Sequence, residues 1–325
     1  MNVGIIGAGH IAGKIARTLA FVDGIDCLAI GSRNKEKAEA FAAEFGIPRA
    51  YGSYEALLDD PDVDLVYVAT PHSHHFDVTM DAIRKGKACL VEKAFMANAA
   101  QTKAVLDLAK ERNVFVAEAI WTRYQPARDI INRLISYGRV GQVRQISATL
   151  SHGVMHLPRV TRPELCGGAL LDIALYPLNF VRMVCDSPIL DIRSQCILSE
   201  EGVDISEAIS MILEGGIIAN IQSSVCCEGL NTAVVAGTEG KIVIDNVNNP
   251  RTIRVYAKGN RFVEELTVPE DISGYEYEFQ ACRDAMARGL IEPPRMPHSE
   301  TLFLMELMDS LRKEWGVRYP MDADA

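Results

Sequence analysis

A glycine-rich turn between a strand and a helix, at the start of the chain, constrains the fold more than any other feature. Residues 3–6 form an apolar run that predicts a buried strand, and a helical pattern begins at Ile11, directly after Gly7-Ala8-Gly9. In this G-x-G-x-x-A pattern, Gly7 allows a tight turn, Gly9 leaves room for a pyrophosphate against the backbone, and the small Ala12 lets the helix pack close. The helix N-terminus adds N–H groups and a positive dipole end. The pattern predicts a dinucleotide site. The cofactor contacts expected at this turn are Gly7, Gly9, His10 and Ile11.

Strand and helix signals alternate as far as residue 120, which predicts a parallel sheet with right-handed crossovers. Residues 121–325 change character, because eight strand-like runs separated by turn signals dominate before two closing helices. We therefore expect an α/β chain of two domains. Residues 1–120 would form a Rossmann domain, and residues 121–325 an α+β domain with a large, open, mostly antiparallel sheet.

Composition and charge narrow the class of protein. The formal net charge of −10 and the absence of a basic stripe argue against nucleic acid or an anionic membrane as a partner. We expect no membrane-spanning helix, and the first core strand begins too early for a signal peptide. The eight cysteines show no regular spacing and are expected to be reduced thiols, so we expect a cytoplasmic protein.

Ligands of parallel sheets bind at the carboxyl ends of the strands, which directs attention to the loops there. After the second strand, Gly31-Ser32-Arg33 lacks the acidic residue that usually binds the ribose of NAD. Ser32, Arg33 and Lys37 offer a hydroxyl and two cations, which suit the 2′-phosphate of NADP. The alternative is a solvated helix start, but the missing acid favours NADP over NAD.

Three histidines within four residues follow the strand that ends near Ala69, in Thr70-Pro71-His72-Ser73-His74-His75. A metal site would need distant carboxylate, histidine or cysteine partners, and none is evident, so no metal is predicted. The loop lies where a nicotinamide ribose and pyrophosphate would pass. The residues expected to contact the cofactor are Thr70, Pro71 and His72, with His75 capping the loop or lining the pocket.

Two further loops carry reactive side chains. The position of Glu92-Lys93 at the carboxyl end of a strand is suited to catalysis, although an ordinary surface ion pair would explain these two residues equally well. Trp121 and Arg123 form an aromatic and cationic cluster where the chain leaves the first domain. The candidate cofactor contacts at these two strand ends are Glu92, Lys93, Trp121 and Arg123.

One helix, expected over residues 169–184, interrupts the strands of the second half. Asp172 and Tyr176 are four residues apart and share a face, and Pro177 should kink the helix. A carboxylate inside an apolar run is costly unless it is paired, which favours a functional site. The alternative is that Asp172 caps a helix and Tyr176 belongs to the core.

These motifs together resemble the glucose-fructose oxidoreductase/inositol dehydrogenase/MocA family, in particular its subgroup of dimeric dihydrodiol dehydrogenases and NADP-dependent D-xylose dehydrogenases. The resemblance covers nearly the whole chain. The segments that carry it are Gly7-x-Gly9-x-x-Ala12, Thr70-Pro71-x-x-x-His75, Glu92-Lys93, Glu118-Ala-Ile-Trp-Thr-Arg123, Gly167-Gly168-Ala-Leu-Leu-Asp172-Ile-x-x-Tyr176, Gly237-Thr-Glu-Gly-Lys241 and Met296-Pro-His-Ser-Glu-Thr301.

The resemblance implies that Lys93 and Tyr176 face the reacting hydroxyl or carbonyl, with Asp172 supporting them, and that Trp121 and Arg123 line the pocket. It also implies a homodimer or higher homo-oligomer through the open sheet. The sequence departs from the family at Ala94, where a proline with a cis peptide bond is usual. The Lys93–Ala94 bond is therefore either cis, which is unusual before a non-proline residue, or trans with Lys93 held differently.

The main hypothesis is an NADP-dependent oxidoreductase that transfers a hydride between nicotinamide and a secondary alcohol or carbonyl of a sugar or cyclic diol. The substrate contacts would come from Lys93, Trp121, His156, Asp172 and Tyr176. His152 and Arg159 are expected in the same loop region as His156. Two alternatives stay open: a nucleotide-binding regulator without catalysis, and a nicotinamide-assisted glycosidase on the same fold.

Overall fold

The computed structural model describes residues 1–324, with side chains described as far as residue 322. It divides into two compact units. The first contains Met1–Trp121, Asp271–Glu306 and the last residues from Met321, and the second contains Thr122–Glu270 and Leu307–Pro320.

A six-stranded parallel sheet in the order β3-β2-β1-β4-β5-β6 forms the centre of the first unit. Its strands read as continuous apolar runs because helices bury both faces of such a sheet. Its strands are β1 (Asn2–Ile6), β2 (Asp26–Gly31), β3 (Arg49–Tyr51), β4 (Leu65–Val68), β5 (Ala88–Glu92) and β6 (Val116–Ala119). Its connecting helices are α1 (His10–Leu19), α2 (Lys35–Phe45), α3 (Tyr54–Leu58), α4 (His75–Arg84) and α5 (Ala99–Arg112).

The second unit is built on an eight-stranded sheet in the order β14-β13-β12-β11-β7-β10-β9-β8, in which only β7 and β10 pair in parallel. Its strands are β7 (Val143–Ser151), β8 (Ile189–Leu198), β9 (Asp204–Leu213), β10 (Ile217–Ser224), β11 (Ala233–Gly237), β12 (Gly240–Ile244), β13 (Thr252–Ala257) and β14 (Arg261–Thr267). Its helices are α6 (Pro126–Ser136), the short α7 (Pro158–Thr161) and α8 (Leu175–Val184). Alternate residues along β9 and β10 are buried, as expected of a sheet covered on one face. The predicted α/β class, with a parallel Rossmann sheet and a mostly antiparallel one, is confirmed.

The closing part of the chain does not follow the predicted domain boundary, which assigned all of residues 121–325 to one domain. Helix α9 (Glu276–Ala287) belongs to the first unit, and α10 (His298–Trp315) is divided between the two units. Phe279 and Cys282 of α9 are fully buried in the core that covers the parallel sheet. The sequence does not predict that α9 packs on the first unit, because the apolar face of a helix does not indicate which sheet it will pack on.

The apolar helix of the second unit corrects two expectations. Residues 163–184 are long and apolar enough to cross a membrane, although no such run was expected, and 89% of the most apolar window is buried inside the fold, as in a core helix. The helix departs from α-helical geometry at a π-helical turn, Leu170–Ala174, immediately before α8, whereas the sequence predicted only a kink at Pro177. Leu175 N–H bonds to Leu170 O in this turn. The wider turn precedes a proline that has no N–H to donate to the preceding carbonyls.

Candidate active site

Two glycines of the turn between β1 and α1 are needed for different reasons. Gly7 has φ +103°, and a Cβ there would lie 2.7 Å from Ala69 O, so the turn itself requires glycine. A Cβ at Gly9 would meet nothing within 4 Å, so the protein's own packing does not require glycine there. The empty space lies at the N-terminus of α1, where backbone N–H groups favour an anion. This space fits the pyrophosphate of a dinucleotide.

Thr70, directly after β4, offers a second polar group near this turn. Its Oγ1 is buried and has no hydrogen-bond partner among the described residues, and its backbone nitrogen borders Gly7. A buried hydroxyl without a partner is costly, so a ligand that supplies one would be favoured. The neighbouring Pro71 is exposed, and His10 and Ile11 lie at the open start of α1.

Two of the three histidines that follow β4 hold backbone of the first unit. His72 Nε2 donates to Lys93 O at 3.0 Å. His75 is fully buried, with Nε2 2.8 Å from Thr70 O and Nδ1 3.0 Å from Ala94 O. Burial lowers the pKa of His75 and favours the neutral ring. His75 therefore fixes the loop backbone and does not line a pocket.

No group of three or more His, Cys, Asp or Glu side chains is arranged for a metal ion in the part of the chain that the structure describes.

Lys93 follows β5 and is the one residue of 88–98 that is not buried. The Lys93–Ala94 peptide bond is cis, which settles the alternative that the sequence left open. The carboxylate of Glu92 accepts a hydrogen bond from Lys93 N–H at 3.2 Å and another from the Tyr67 hydroxyl. Together with the two histidines, these contacts fix the backbone on both sides of the lysine.

Arg33 is exposed after β2 and contacts His74, Nη1 to Nε2, at 3.4 Å. Arg33 also acts on Tyr54: burial raises the pKa of Tyr54, and the charge of Arg33 lowers it. Ser32 Oγ accepts a hydrogen bond from Asn34 N–H at 3.3 Å. Lys37 is exposed on the first turn of α2. A surface cavity of about 500 Å³, lined by Tyr54 and His74 among others, adjoins Arg33. Ser32, Arg33 and Lys37 thus follow the end of β2 closely, and their contact with the 2′-phosphate of a cofactor stays a prediction.

Trp121 stacks on Tyr275, with ring centroids 4.3 Å apart and planes 15° from parallel. Burial raises the pKa of Tyr275, and Glu92 and Glu278 act in the same direction. The buried Glu278 has a carboxylate without a hydrogen-bond partner among the described residues, and burial raises its pKa well above the usual range. Sequence analysis did not find Tyr275 and Glu278, because they come from the start of α9 and the residue before it, some 150 residues after Trp121 in the chain.

In the second unit, Asp172 lies in the π-helical turn and is almost fully buried. It forms an ion pair with Arg159, which comes from α7. Tyr176 is the only residue of 166–181 that is not buried. The predicted pairing of the buried aspartate is thus present, and its partner comes from the loop region that the sequence singled out.

Arg123 and His156 lie in contrasting environments of the second unit. Arg123 is buried, and its Nε donates to Asn179 Oδ1 at 2.5 Å. Asn179 Nδ2 in turn donates to Thr122 Oγ1 at 2.9 Å. His156 is exposed in the loop before α7. Arg123 therefore stabilises the interior of this unit, whereas His156 is accessible to a ligand.

Comparison with known proteins assigns the two halves of the chain to two family domains. Residues 1–119 match an oxidoreductase family with an NAD-binding Rossmann fold, and residues 130–243 match the GFO/IDH/MocA C-terminal domain. The chain belongs to the GFO/IDH/MocA oxidoreductase family. The resemblance inferred from the motifs is thereby confirmed.

Relatives within this family cover the chain almost completely. The trans-1,2-dihydrobenzene-1,2-diol dehydrogenase of Xenopus tropicalis is 35% identical over 325 residues, and that of Homo sapiens is 31% identical over 327 residues. Each alignment covers 98% of this chain and 98% of the relative. A 3-ketoreductase from Actinomadura kijaniata, solved with NADP and TDP-benzene, shares the fold with a TM-score of 0.86. It is 23% identical, over 96% of this chain and 97% of that one.

The two glycines provide a test of the cofactor site with an internal control. Gly9→Ala should leave the free energy of unfolding near the wild-type value and weaken NADPH binding by about tenfold, since the methyl group fills only the ligand's space. Gly7→Ala should instead lower the free energy of unfolding by about 1–2 kcal/mol or more, because of its positive φ. Fluorescence titration and urea unfolding measure the two effects. Normal NADPH affinity in Gly9→Ala would contradict the assignment of this space to the pyrophosphate.

Proposed function

We propose that the chain is an NADP-dependent dehydrogenase, which transfers a hydride between nicotinamide and a secondary alcohol or carbonyl of a sugar or cyclic diol. Lys93 and Tyr176 carry this proposal, because each is the one residue of a buried stretch that solvent reaches. A side chain that emerges alone from a fixed backbone is well suited to act on a bound substrate. The diol dehydrogenases that are 31–35% identical over nearly the whole chain support the same substrate class.

The chain's own residues supply proton transfer and orientation in this proposal, and a bound nicotinamide supplies the hydride chemistry. Tyr176 exchanges the proton of the reacting hydroxyl. A tyrosine has an ordinary pKa of about 10, so it needs a cation to work near neutral pH. Lys93 provides that positive charge and polarises the reacting oxygen. Asp172, held by Arg159, keeps the face of the helix that carries Tyr176 in place.

The preference for NADP over NAD rests on Ser32, Arg33 and Lys37. The exposed guanidinium of Arg33 and the ammonium of Lys37 suit a phosphate on the ribose, and no acidic residue stands at the end of β2 to bind a ribose hydroxyl. The Actinomadura 3-ketoreductase, which has the same fold, was solved with NADP.

We also propose a cytoplasmic homodimer formed through the outer face of the eight-stranded sheet. Ile212 and Ile218 are paired across β9 and β10 and are 44% and 48% exposed, and Leu190 and Phe262 are exposed on the same sheet. Apolar side chains of this size on one face favour a partner surface. Sedimentation equilibrium should give a dimer for the wild type and a monomer for Ile218→Glu. A monomeric wild type would contradict this part of the proposal.

Removing either proton-handling group should impair turnover more than binding. Tyr176→Phe and Lys93→Met should each lower kcat by about 100-fold or more, because each loses proton transfer or charge at the reacting oxygen. NADPH formation with a panel of cyclic diols and sugars measures the effect. The matched controls are Tyr137→Phe and Lys103→Met, whose side chains are exposed. Near-normal turnover in both active-site variants would remove the assignment.

Cofactor choice has its own test. Arg33→Ala should raise the KM for NADP by about tenfold and leave the KM for NAD nearly unchanged, since the lost charge faces only the extra phosphate. Arg17→Ala on the exposed face of α1 is the control. A wild-type protein that prefers NAD would contradict the proposed role of Arg33.

A further inference from the structure

Asp204, at the start of β9, lies beneath the beginning of the helix that carries Asp172 and Tyr176. It is fully buried, and its Oδ2 accepts a hydrogen bond from Leu170 N–H at 2.5 Å. The nearby N–H of Ala169 lowers the pKa of this carboxyl group, and Oδ1 has no hydrogen-bond partner among the described residues. The first N–H groups of a helix have no partner within the helix, so an acceptor from another element satisfies them. Asp204 therefore caps a helix to which it does not belong.

A bulge in β9 explains why this carboxylate points inward. Along β8 the pairing runs from Ile197 opposite Ser206 directly to Leu198 opposite Asp204, so β9 has one extra residue at this point. A bulge changes which face of the sheet a side chain reaches. As a result Asp204 and Glu207, three residues apart, are both buried.

The two buried carboxyl groups differ in what surrounds them. Burial raises the pKa of Asp204 to about 6, against the opposing effect of the Leu170 and Ala169 N–H groups and of Arg312. Burial and the nearby Asp204 raise the pKa of Glu207 well above its usual range. Neither oxygen of Glu207 has a hydrogen-bond partner among the described residues. Of the two carboxyl groups, Asp204 is the one that accepts a backbone N–H, at the positive end of the helix dipole.

The turn before the helix is fitted to this carboxylate. A Cβ at Gly168, which has φ +129°, would lie 2.4 Å from Asp204 Oδ1, so only glycine allows the approach. On the other side of the turn, the Tyr319 hydroxyl donates to Gly167 O at 2.6 Å. The Arg312 guanidinium lies 4.4 Å from the centre of the Tyr319 ring. Both the N–H and the carbonyl groups of the turn are therefore held by buried side chains from distant parts of the chain.

We propose that Asp204 is a positioning residue that fixes the orientation of Asp172 and Tyr176 by anchoring the start of their helix. This role rests on the proposed function, because it matters for turnover only if Tyr176 transfers the proton. A π-helical turn lies between this anchor and Tyr176. Its hydrogen bonds span five residues, a rare arrangement that occurs mostly as single turns inside α-helices and frequently at functional sites.

Asp204→Asn tests the role, with Glu207→Gln as the matched control on the same strand. The asparagine keeps the shape of the side chain but loses the charge at the helix start. We expect kcat to fall by about tenfold, with the KM for substrate and the Kd for NADPH near wild-type values. Hydrogen exchange followed by mass spectrometry should show about tenfold faster exchange of the amides in residues 169–176 and unchanged exchange in β1. Glu207→Gln should change neither quantity.

Tyr319→Phe is a second variant that keeps the test decisive if Asp204→Asn fails to fold. It removes one hydrogen bond from the same turn and should lower kcat and local protection in the same direction by a smaller factor. Wild-type kcat, or wild-type protection of residues 169–176, in the variant that folds would overturn the proposal. If the wild type turns over no diol or sugar, the proposed function fails, and the exchange measurement still decides whether Asp204 anchors the helix.

Discussion

One buried imidazole connects the two loops on which the cofactor half of the site depends. His75 lies with its ring nitrogens 2.8 Å from Thr70 O and 3.0 Å from Ala94 O, so it joins the loop after β4 to the segment after β5. The first loop borders the glycine turn, and the second presents Lys93. Burial lowers the pKa of His75, and a neutral ring has a single N–H, so the ring donates to a carbonyl of one loop and packs against the carbonyl of the other.

In the second unit, buried polar side chains also hold backbone groups in place, but the residues are different. Asp204 satisfies N–H groups at the start of the helix, and Arg159 neutralises Asp172 further along it. In both units, buried polar side chains hold the backbone of a stretch whose residues are otherwise all buried. One reactive side chain of each stretch, Lys93 or Tyr176, reaches solvent. A half-satisfied polar group in such an environment would be costly, so these contacts specify the local structure tightly.

Much of this arrangement could be predicted from the sequence. The glycine turn, the alternation of strands and helices in the first half and the eight strand-like runs of the second half are local sequence patterns that the structure shows, whereas the three-residue β3 was not predicted. The pairing of Asp172 was also predicted, since a carboxylate in an apolar run requires a partner. Neither the return of α9 to the first unit nor the stacking of Tyr275 on Trp121 could be predicted from the sequence. The contact of Asp204 with the start of the helix was also missed, because it joins residues far apart in sequence. The roles assigned to the other site residues stay predictions until the variants are assayed.

Transfer of an isotope tests most directly whether the chain is a hydride-transfer enzyme. The protein is incubated with NADP and a cyclic diol that carries deuterium at its carbinol carbons, and the reduced cofactor is analysed by mass spectrometry. We predict that NADPH gains a deuterium in step with the oxidised product. Conversion of substrate without deuterium in the cofactor would contradict the account, as would tight NADPH binding with no conversion of any diol or sugar.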